Sequence, residues 1–274
     1  MRVHSFDRVA PAYAAKVTPH RYAHYATMLH ELKLGGDEII LDIGCGPGIL
    51  SLEVAQQLSR GKLIGIDNSP NMIGFALGMA QERGSSNTEF NVGDALALDF
   101  PDNSFNLVMS SLTFPWVKDQ ARFLSEVNRV LKPGGRLVMI TLSNIVYREF
   151  TQALKEVARR NPSLLNVGRN VLGFLGARTY SLDGIAREME RAKFNVNRRF
   201  RLTTEDPVTP REYLARINAI VDENYLEGLN DGEKQLIRND IMLSLSRKNG
   251  SLTFTESALF IIARKLGASG HCNG

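Results

Sequence analysis

The 274-residue chain has few cysteines and no long apolar run. Its two cysteines, Cys45 and Cys272, match neither a disulfide framework nor the spacing of a zinc site. No apolar run approaches the roughly 20 residues that a membrane-spanning helix needs, and the segment Met1–Asp7 lacks the apolar core of a signal peptide. We therefore expect a cytoplasmic protein with no membrane span and no metal site.

The net charge is also small, at +4, and it is unevenly placed. Residues 1–144 carry 13 basic and 14 acidic side chains, whereas residues 145–274 carry 20 basic and 15 acidic ones. Nucleic-acid binding usually needs a concentrated basic face, so this surplus makes a nucleic-acid partner unlikely. The Arg198-Arg199-Phe200-Arg201 run either recognises an anionic group, such as an acidic carrier protein, or forms a solvated strand surface.

The chain also lacks basic residues around a glycine-rich loop. No lysine or arginine occurs between Lys33 and Arg60, and this stretch contains Gly44-Cys45-Gly46-Pro47-Gly48 between an apolar run and a helical pattern. Glycines in such a turn let a ligand approach bare backbone. The spacing is GxGxG rather than the dinucleotide GxGxxG, and the carboxylate of Asp42 precedes it. A ligand with positive charge and no phosphate, such as S-adenosylmethionine, therefore fits better than a pyrophosphate.

Apolar runs alternate with helical patterns over residues 38–142. This alternation predicts an α/β fold with a parallel sheet that is covered by helices on both faces. Pro133-Gly134-Gly135 ends one helix and turns into the fifth strand. The predicted strands are Ile39–Ile43, Lys62–Ile66, Thr88–Val92, Phe105–Ser110 and Arg136–Leu142, with helices at 48–59, 70–83 and 119–131.

The pattern changes after Leu142. We predict helices over 147–176 and 181–192, a strand over Phe194–Leu202, one or two helices over 208–247 and a last strand over Ser251–Arg264. With no linker or repeat in view, we expect a single domain over 1–266 and a flexible tail over 267–274. Its predicted parts are an N-terminal helical segment (1–37), a ligand-binding core (38–142), helices with the sixth strand (143–207), a helical insertion (208–247) and the last strand (251–264).

Two further acids follow successive predicted strands. Asp67 ends the second strand, where a carboxylate commonly accepts hydrogen bonds from both ribose hydroxyls; in the alternative interpretation, this segment only caps the helix that starts at Pro70. Asp94 and Ala95 follow the third strand, where they contact an adenine ring or form an ordinary turn. Ligands in open α/β sheets bind beyond the carboxyl ends of strands, so the three loops together predict one site.

At these positions the chain resembles the class I S-adenosylmethionine-dependent methyltransferases, over about Phe6 to Leu142. The resemblance also includes Phe6-Asp7-Arg8-Val9-Ala10-Pro11-Ala12-Tyr13 and the Arg-Val-Leu-Lys-Pro-Gly-Gly turn at 129–135. These two motifs are typical of the small-molecule subgroup that includes the ubiquinone/menaquinone and malonyl-carrier-protein enzymes. The resemblance implies a Rossmann-like, mostly parallel sheet of seven strands with the last one antiparallel, and a tyrosine, Tyr13, that folds over the methyl donor.

The function that follows is methyl transfer from S-adenosylmethionine to a small-molecule or carrier-linked acceptor by in-line displacement, with S-adenosylhomocysteine as product. We expect segments 6–25 and 208–247 to close over the acceptor, and we name no catalytic base. The Asn/Asp-Pro-Pro-aromatic motif of enzymes that methylate base nitrogens is absent after the fourth strand. The predicted donor-binding residues are Tyr13, Asp42, Gly44, Cys45, Gly46, Gly48, Asp67, Asn68, Met72, Asp94, Ala95 and Ser110.

Two alternatives remain open. One is a noncatalytic donor-binding protein that acts through partners, because no obligatory catalytic side chain is visible. The other is a nicotinamide-dependent dehydrogenase, which the GxGxG spacing and Asp42 disfavour. Neither the acceptor nor the oligomeric state follows from the sequence.

Overall fold

The computed structural model describes residues 22–160, 180–221, 226, 229–247 and 252–267. Tyr13 and the part of the predicted lid over 6–21 lie outside the described residues. The strands are β1 (Ile39–Ile43), β2 (Lys62–Asp67), β3 (Thr88–Val92), β4 (Phe105–Ser111), β5 (Leu131–Val146), β6 (Phe194–Val208) and β7 (Leu252–Lys265). The α-helices are α1 (Tyr22–Leu32), α2 (Ile49–Ala55), α3 (Pro70–Glu82), α4 (Gln120–Val130), α5 (Arg148–Arg160), α6 (Leu182–Arg191), α7 (Pro210–Val221) and α8 (Asp231–Ser246).

The strands form one seven-stranded sheet in the order β3-β2-β1-β4-β5-β7-β6. Strands β1 to β5 pair in parallel. Strand β7 runs antiparallel to β5. This direction follows from the Lys265 ammonium at the carboxyl end of β7, which donates to the carbonyl of Leu131 at the amino end of β5. Helices α7 and α8 lie between β6 and β7 along the chain. The mostly parallel seven-stranded sheet and the helical insertion before the last strand are thereby confirmed.

Helices cover both faces of the sheet. On one face, α4 and α6 pack on the β1 and β4 side chains that point toward them. On the other face, α2 and α3 pack beside β3. The first cluster includes Leu41, Val108, Phe123, Val127, Ile185 and Met189, and the second consists of Cys45, Leu52, Ile73, Ala76 and Phe90.

Helix α4 shows how local sequence sets these elements. Its N-cap is Asp119, whose carboxylate accepts the backbone N–H of Arg122 at 2.9 Å and so occupies one of the otherwise unpaired amides of the first turn. Its buried residues are spaced i, i+1, i+4 and i+7, which makes one apolar stripe. They are Phe123, Leu124, Val127 and Val130.

Strand β5 begins at Leu131, before the Pro-Gly-Gly turn, rather than at Arg136 as the sequence pattern predicts. The reason is a bulge: Phe105 pairs with Leu131 and Leu107 pairs with Arg136, so the pairing register shifts between these two pairs. The turn glycine Gly134 takes a left-handed φ of 74° within the bulge. The other predicted strand starts hold to within one residue, whereas β6 runs on to Val208.

The chain groups into two compact units. Among the described residues, the core unit comprises 22–142, 180–202 and 258–267, and the helical unit comprises 143–160, 203–221, 226, 229–247 and 252–257. In the helical unit, the buried Arg216 guanidinium pairs with Asp206 at 3.1 Å and lies 5.0 Å from the centroid of the Phe254 ring. The single-domain assignment stays a prediction. Among the described residues, none of the helices has both the length and the apolarity needed to cross a membrane.

Candidate functional site

The loops after β1, β2 and β3 meet at the carboxyl edge of the sheet, where backbone hydrogen bonds join them. The N–H groups of Gly44 and Cys45 both donate to the carbonyl of Ile66, at 2.7 and 3.0 Å. The N–H of Gly46 donates to Asp67 Oδ2 at 3.0 Å. The third loop joins through Gly93, whose N–H donates to the carbonyl of Asp67 at 3.0 Å. The structure therefore brings the three predicted loops together.

The carboxylate of Asp67 lies between the first two loops. Its Oδ2 accepts the Gly46 N–H, and its Oδ1 accepts the N–H of Ser69 at 3.0 Å. The side chain is half-buried. A carboxylate oxygen can accept more than one hydrogen bond, so a carboxylate held in this position can also accept from ligand hydroxyls. This arrangement is the one that a diol of a ribose needs.

The glycines of the loop divide into two kinds. A Cβ on Gly44 would lie 2.0 Å from Thr113 Oγ1, and one on Gly48 would lie 2.8 Å from the Cβ of Ala76, so both glycines are required by packing. Gly46 has a φ of 54°, but a Cβ there would meet no atom of the described residues within 4 Å. The space beside Gly46 is therefore a cradle that a side chain would fill.

Asp42 lies under this loop, near the end of β1, and is 2% exposed. Its Oδ2 accepts the Ser51 hydroxyl at 2.5 Å, whereas its Oδ1 has no hydrogen-bond partner among the described residues. Burial raises the pKa of this carboxyl to about 7, the Ser51 hydrogen bond opposes that change, and the negative charge of Asp67 adds to it. A buried carboxylate oxygen without a partner favours a cationic N–H donor, such as the ammonium of S-adenosylmethionine.

Two predicted donor-binding residues of the third loop, Asp94 and Ala95, make contacts within the protein. Asp94 is exposed, and its Oδ1 accepts the N–H of Leu96 at 2.9 Å. This is the turn geometry that the alternative interpretation predicts. Ala95 packs against the core cluster. The adenine role of both residues stays a prediction.

The remaining predicted residues differ in exposure. The Ser110 hydroxyl is buried and donates to the carbonyl of Ile43 at 3.0 Å, which ties β4 to the end of β1. Met72 is 1% exposed, and its N–H donates to Ser69 Oγ, the N-cap of α3. Asn68 is exposed at the loop surface. Burial raises the pKa of the Cys45 thiol well above its usual range, so its side chain is inert packing.

The residues that follow Ser110 are not among the predicted donor-binding residues. Leu112 is a non-glycine residue at a left-handed φ of 59°, and Thr113 Oγ1 lies 3.3 Å from the carbonyl of Gly44, to which it donates. The Ser111 hydroxyl is buried and has no partner in the described part of the chain. Because β4 neighbours β1, this loop faces the glycine loop. The one signal that could have found it was the run of hydroxyl residues at a strand end.

Comparisons with known proteins agree with this geometry. The methyltransferase domain family matches residues 35–173. A demethylmenaquinone methyltransferase of Lactococcus lactis is 35% identical over 138 residues, which are 50% of this chain and 51% of that protein. The chain spans about half the length of the first curated relatives it matches.

Two solved structures show the same fold. The YcgJ protein of Bacillus subtilis has a TM-score of 0.60 at 20% identity, covering 90% of this chain and all of that one. A Haemonchus contortus phosphoethanolamine N-methyltransferase 2, solved in complex with S-adenosylmethionine, has a TM-score of 0.56 at 18% identity, covering 89% of this chain and 53% of that one. The joined loops, the cradle beside Gly46 and the matching family domain lead to one assignment. The chain belongs to the class I S-adenosylmethionine-dependent methyltransferase family.

Proposed function

We propose that the protein transfers a methyl group from S-adenosylmethionine to a small-molecule acceptor. The observation that carries this proposal is the coincidence, at one sheet edge, of an open left-handed glycine, a ribose-type carboxylate and a buried carboxyl with one oxygen that no described residue contacts by a hydrogen bond. These are Gly46, Asp67 and Asp42. Neither the dehydrogenase nor the noncatalytic alternative is favoured by the family match.

Each of these residues binds a different part of the donor in this proposal. Asp67, which the N–H groups of Gly46 and Ser69 hold in place, accepts the ribose hydroxyls. Gly46 gives the methionyl part access to bare backbone, since no Cβ lies in the cradle. Asp42 offers its unpaired Oδ1 to the ammonium group. Asp94 and Ala95 remain the proposed adenine contacts.

The chemistry is a displacement in which the acceptor nucleophile forms a bond to the methyl carbon while the carbon–sulfur bond breaks. The donor supplies a methyl group on a positively charged sulfur, which leaves as neutral S-adenosylhomocysteine. The protein has to align the two substrates and exclude water. A base is required only for an acceptor that must lose a proton. The free hydroxyl of Ser111, at the end of β4, is the polar group we place nearest to the acceptor.

The acceptor class is drawn from the relatives. The Lactococcus lactis relative is named for demethylmenaquinone, and its match covers 50% of this chain. We therefore propose a reduced quinone ring as the first acceptor to test. A carrier-linked acceptor is the second, because the basic surplus of residues 145–274 is compatible with an acidic carrier.

The proposal is tested in two steps. Calorimetry with S-adenosylmethionine and S-adenosylhomocysteine measures donor binding; the absence of heat with both would contradict the donor site. Methyl-labelled donor is then incubated with reduced demethylmenaquinone, and label in the extracted quinone is the expected result. Phosphoethanolamine is the comparison acceptor. Donor binding without transfer to any acceptor, including the whole small-molecule extract of a cell, would support the noncatalytic alternative.

A further inference from the structure

A polar cleft lies at the opposite edge of the sheet from the donor loops. Two loops line it: 56–61, directly before the first residue of β2, and 83–87, directly before the first residue of β3. The donor loops follow the last residues of the same strands. Strand β2 has six residues, so roughly 17 Å of strand separates the two sites at about 3.3 Å per residue. The cleft is therefore not part of the donor site.

Three backbone carbonyls at or beside this cleft accept hydrogen bonds from the chain's own donors. The Asn87 amide donates to the carbonyls of Ala55 and Leu58, at 2.9 and 3.0 Å, and so caps the end of α2. At the end of α3, the N–H of Ser85 donates to the carbonyl of Ala80 at 2.9 Å, with Gly84 at a left-handed φ of 62°. These three carbonyl oxygens, which would otherwise repel an anion, are thus engaged with the protein's own donors.

The cleft side chains that remain available to a ligand are hydrogen-bond donors. Arg60 and Arg83 both line the cleft and are exposed, and within the described residues neither guanidinium has a hydrogen bond or an ion pair. Their hydroxyl neighbours are Ser59, Ser85 and Ser86, and no carboxylate lines the cleft. The nearest acid of β3, Glu89, is already paired with Lys62 at 2.7 Å. Two unpaired guanidiniums among hydroxyls suit an oxyanion, since the planar fork of arginine matches phosphate oxygens.

The size of the cleft narrows the ligand class. Its volume is about 520 Å³, within the range of small-molecule sites and well beyond the needs of one phosphate ion. Leu52, Ala55 and Leu58 give it an apolar floor. We propose that this cleft binds a phosphorylated small molecule, with the phosphate held between Arg60 and Arg83 and the organic part over the floor.

The test uses the full-length protein saturated with S-adenosylhomocysteine, so that the donor site is occupied. Glucose 6-phosphate, glucose and inorganic phosphate are titrated in separate calorimetry experiments at equal ionic strength. We expect saturable binding of glucose 6-phosphate, weaker binding of phosphate and none of glucose. Arg60→Gln and Arg83→Gln should each weaken glucose 6-phosphate binding roughly tenfold or more, the effect of losing one charged hydrogen bond.

Arg187→Gln is the matched control, because Arg187 is an exposed arginine on α6, away from the cleft. It should leave the affinity unchanged. The alternative role of the two arginines is to complement the negative ends of α2 and α3. In that case Arg60→Gln and Arg83→Gln would lower the melting temperature, and neither phosphate compound would bind. That outcome, or equal weakening by Arg187→Gln, would overturn the proposal.

Discussion

Asp67 has two roles, the proposed binding of the ribose and the acceptance of backbone hydrogen bonds from its own loops. One substitution tests both roles. Asp67→Ala removes the proposed ribose acceptor, so we expect donor binding to weaken by about 1.5–3 kcal/mol. It also removes the partner of the Gly46 and Ser69 N–H groups, so we expect a loss of about 1 kcal/mol in the free energy of unfolding. Calorimetry with S-adenosylhomocysteine and denaturant unfolding measure the two effects. Asp99→Ala, at an exposed aspartate, should change neither.

The Asp42 carboxyl makes a prediction about pH. Its pKa is raised from 3.8 to about 7, so the folded state holds a proton that the unfolded state has released between these two values. The free energy of unfolding contributed by Asp42 therefore falls as pH rises from about 4 to 7 and is level above 7. The total change is on the order of a few kcal/mol.

Asp42→Asn keeps the shape of the side chain and removes the titration. Denaturant unfolding of both proteins at pH 5 and pH 8 gives the contribution as a difference. We expect the native protein to lose more stability than the variant between these two pH values. Equal losses would show that Asp42 ionises at its ordinary pKa.

At the scale of the element, two glycines of the same loop, Gly46 and Gly48, should give different outcomes. Gly46→Ala should fold, at a cost of about 1–2 kcal/mol for its left-handed φ, and should lose donor binding because the methyl group fills the cradle. Gly48→Ala adds a clash with Ala76 at 2.8 Å to the same strain. We expect about 1–3 kcal/mol more destabilisation from that clash. Thermal unfolding measures the stability of both variants, and calorimetry measures their donor binding. Unchanged donor binding in Gly46→Ala would contradict the cradle.

Helix α4 holds the third loop through Arg129. The guanidinium donates to the carbonyls of Leu98 and Phe100 at 2.8 and 2.7 Å and pairs with Glu126 and Asp102 at 2.9 Å each. These contacts raise the pKa of Arg129 further, so it stays charged at any pH. The arginine of the Arg-Val-Leu-Lys-Pro-Gly-Gly turn thus anchors the loop that contains the proposed adenine contacts.

Arg129→Met should therefore cost about 2–4 kcal/mol, because it takes the guanidinium donor away from two carbonyls and two carboxylates. Hydrogen exchange over 94–102 should become faster than in the native protein. Arg191→Met, which breaks only an exposed pair with Glu188, is the control and should change stability by less than about 0.5 kcal/mol. Unchanged exchange over 94–102 would contradict the anchoring role.

Sequence patterns predicted the elements whose formation depends on residues that are close together in the chain. The apolar runs predicted β1 to β4. The acids at the ends of β1 to β3 were expected to lie together, since parallel strands place their carboxyl ends at one edge. The approach of Thr113 to Gly44 could not be predicted, because it depends on the neighbour order of β4 and β1 and on the left-handed Leu112. The early start of β5 was hidden by proline and glycine, which ordinarily end a strand.

At the scale of the whole molecule, three acids gather at the carboxyl edge of the core unit. Asp42, Asp67 and Asp94 lie at or just beyond the last residues of β1, β2 and β3. S-adenosylmethionine carries one more positive charge than S-adenosylhomocysteine, so the acidic edge favours the donor over the product. Salt screens this preference: the Debye length is about 30 Å at 0.01 M and about 3 Å at 1 M.

We therefore expect the affinity for S-adenosylmethionine to fall more steeply with salt than the affinity for S-adenosylhomocysteine. Calorimetry of both ligands in low and high sodium chloride measures the two slopes. Parallel slopes would mean that the acids at this edge do not act on the sulfonium charge.

The bulge at the start of β5 has a consequence for how the chain tolerates changes in length. The residues between Leu131 and Arg136 face a single residue of β4 between their paired neighbours, so this stretch already loops out of the ladder. An insertion or deletion within Pro133–Gly135 only changes the size of that loop. The same change after Arg136 would move every later side chain of β5 to the opposite face. Natural variation in length should therefore accumulate in this turn and stop at Arg136.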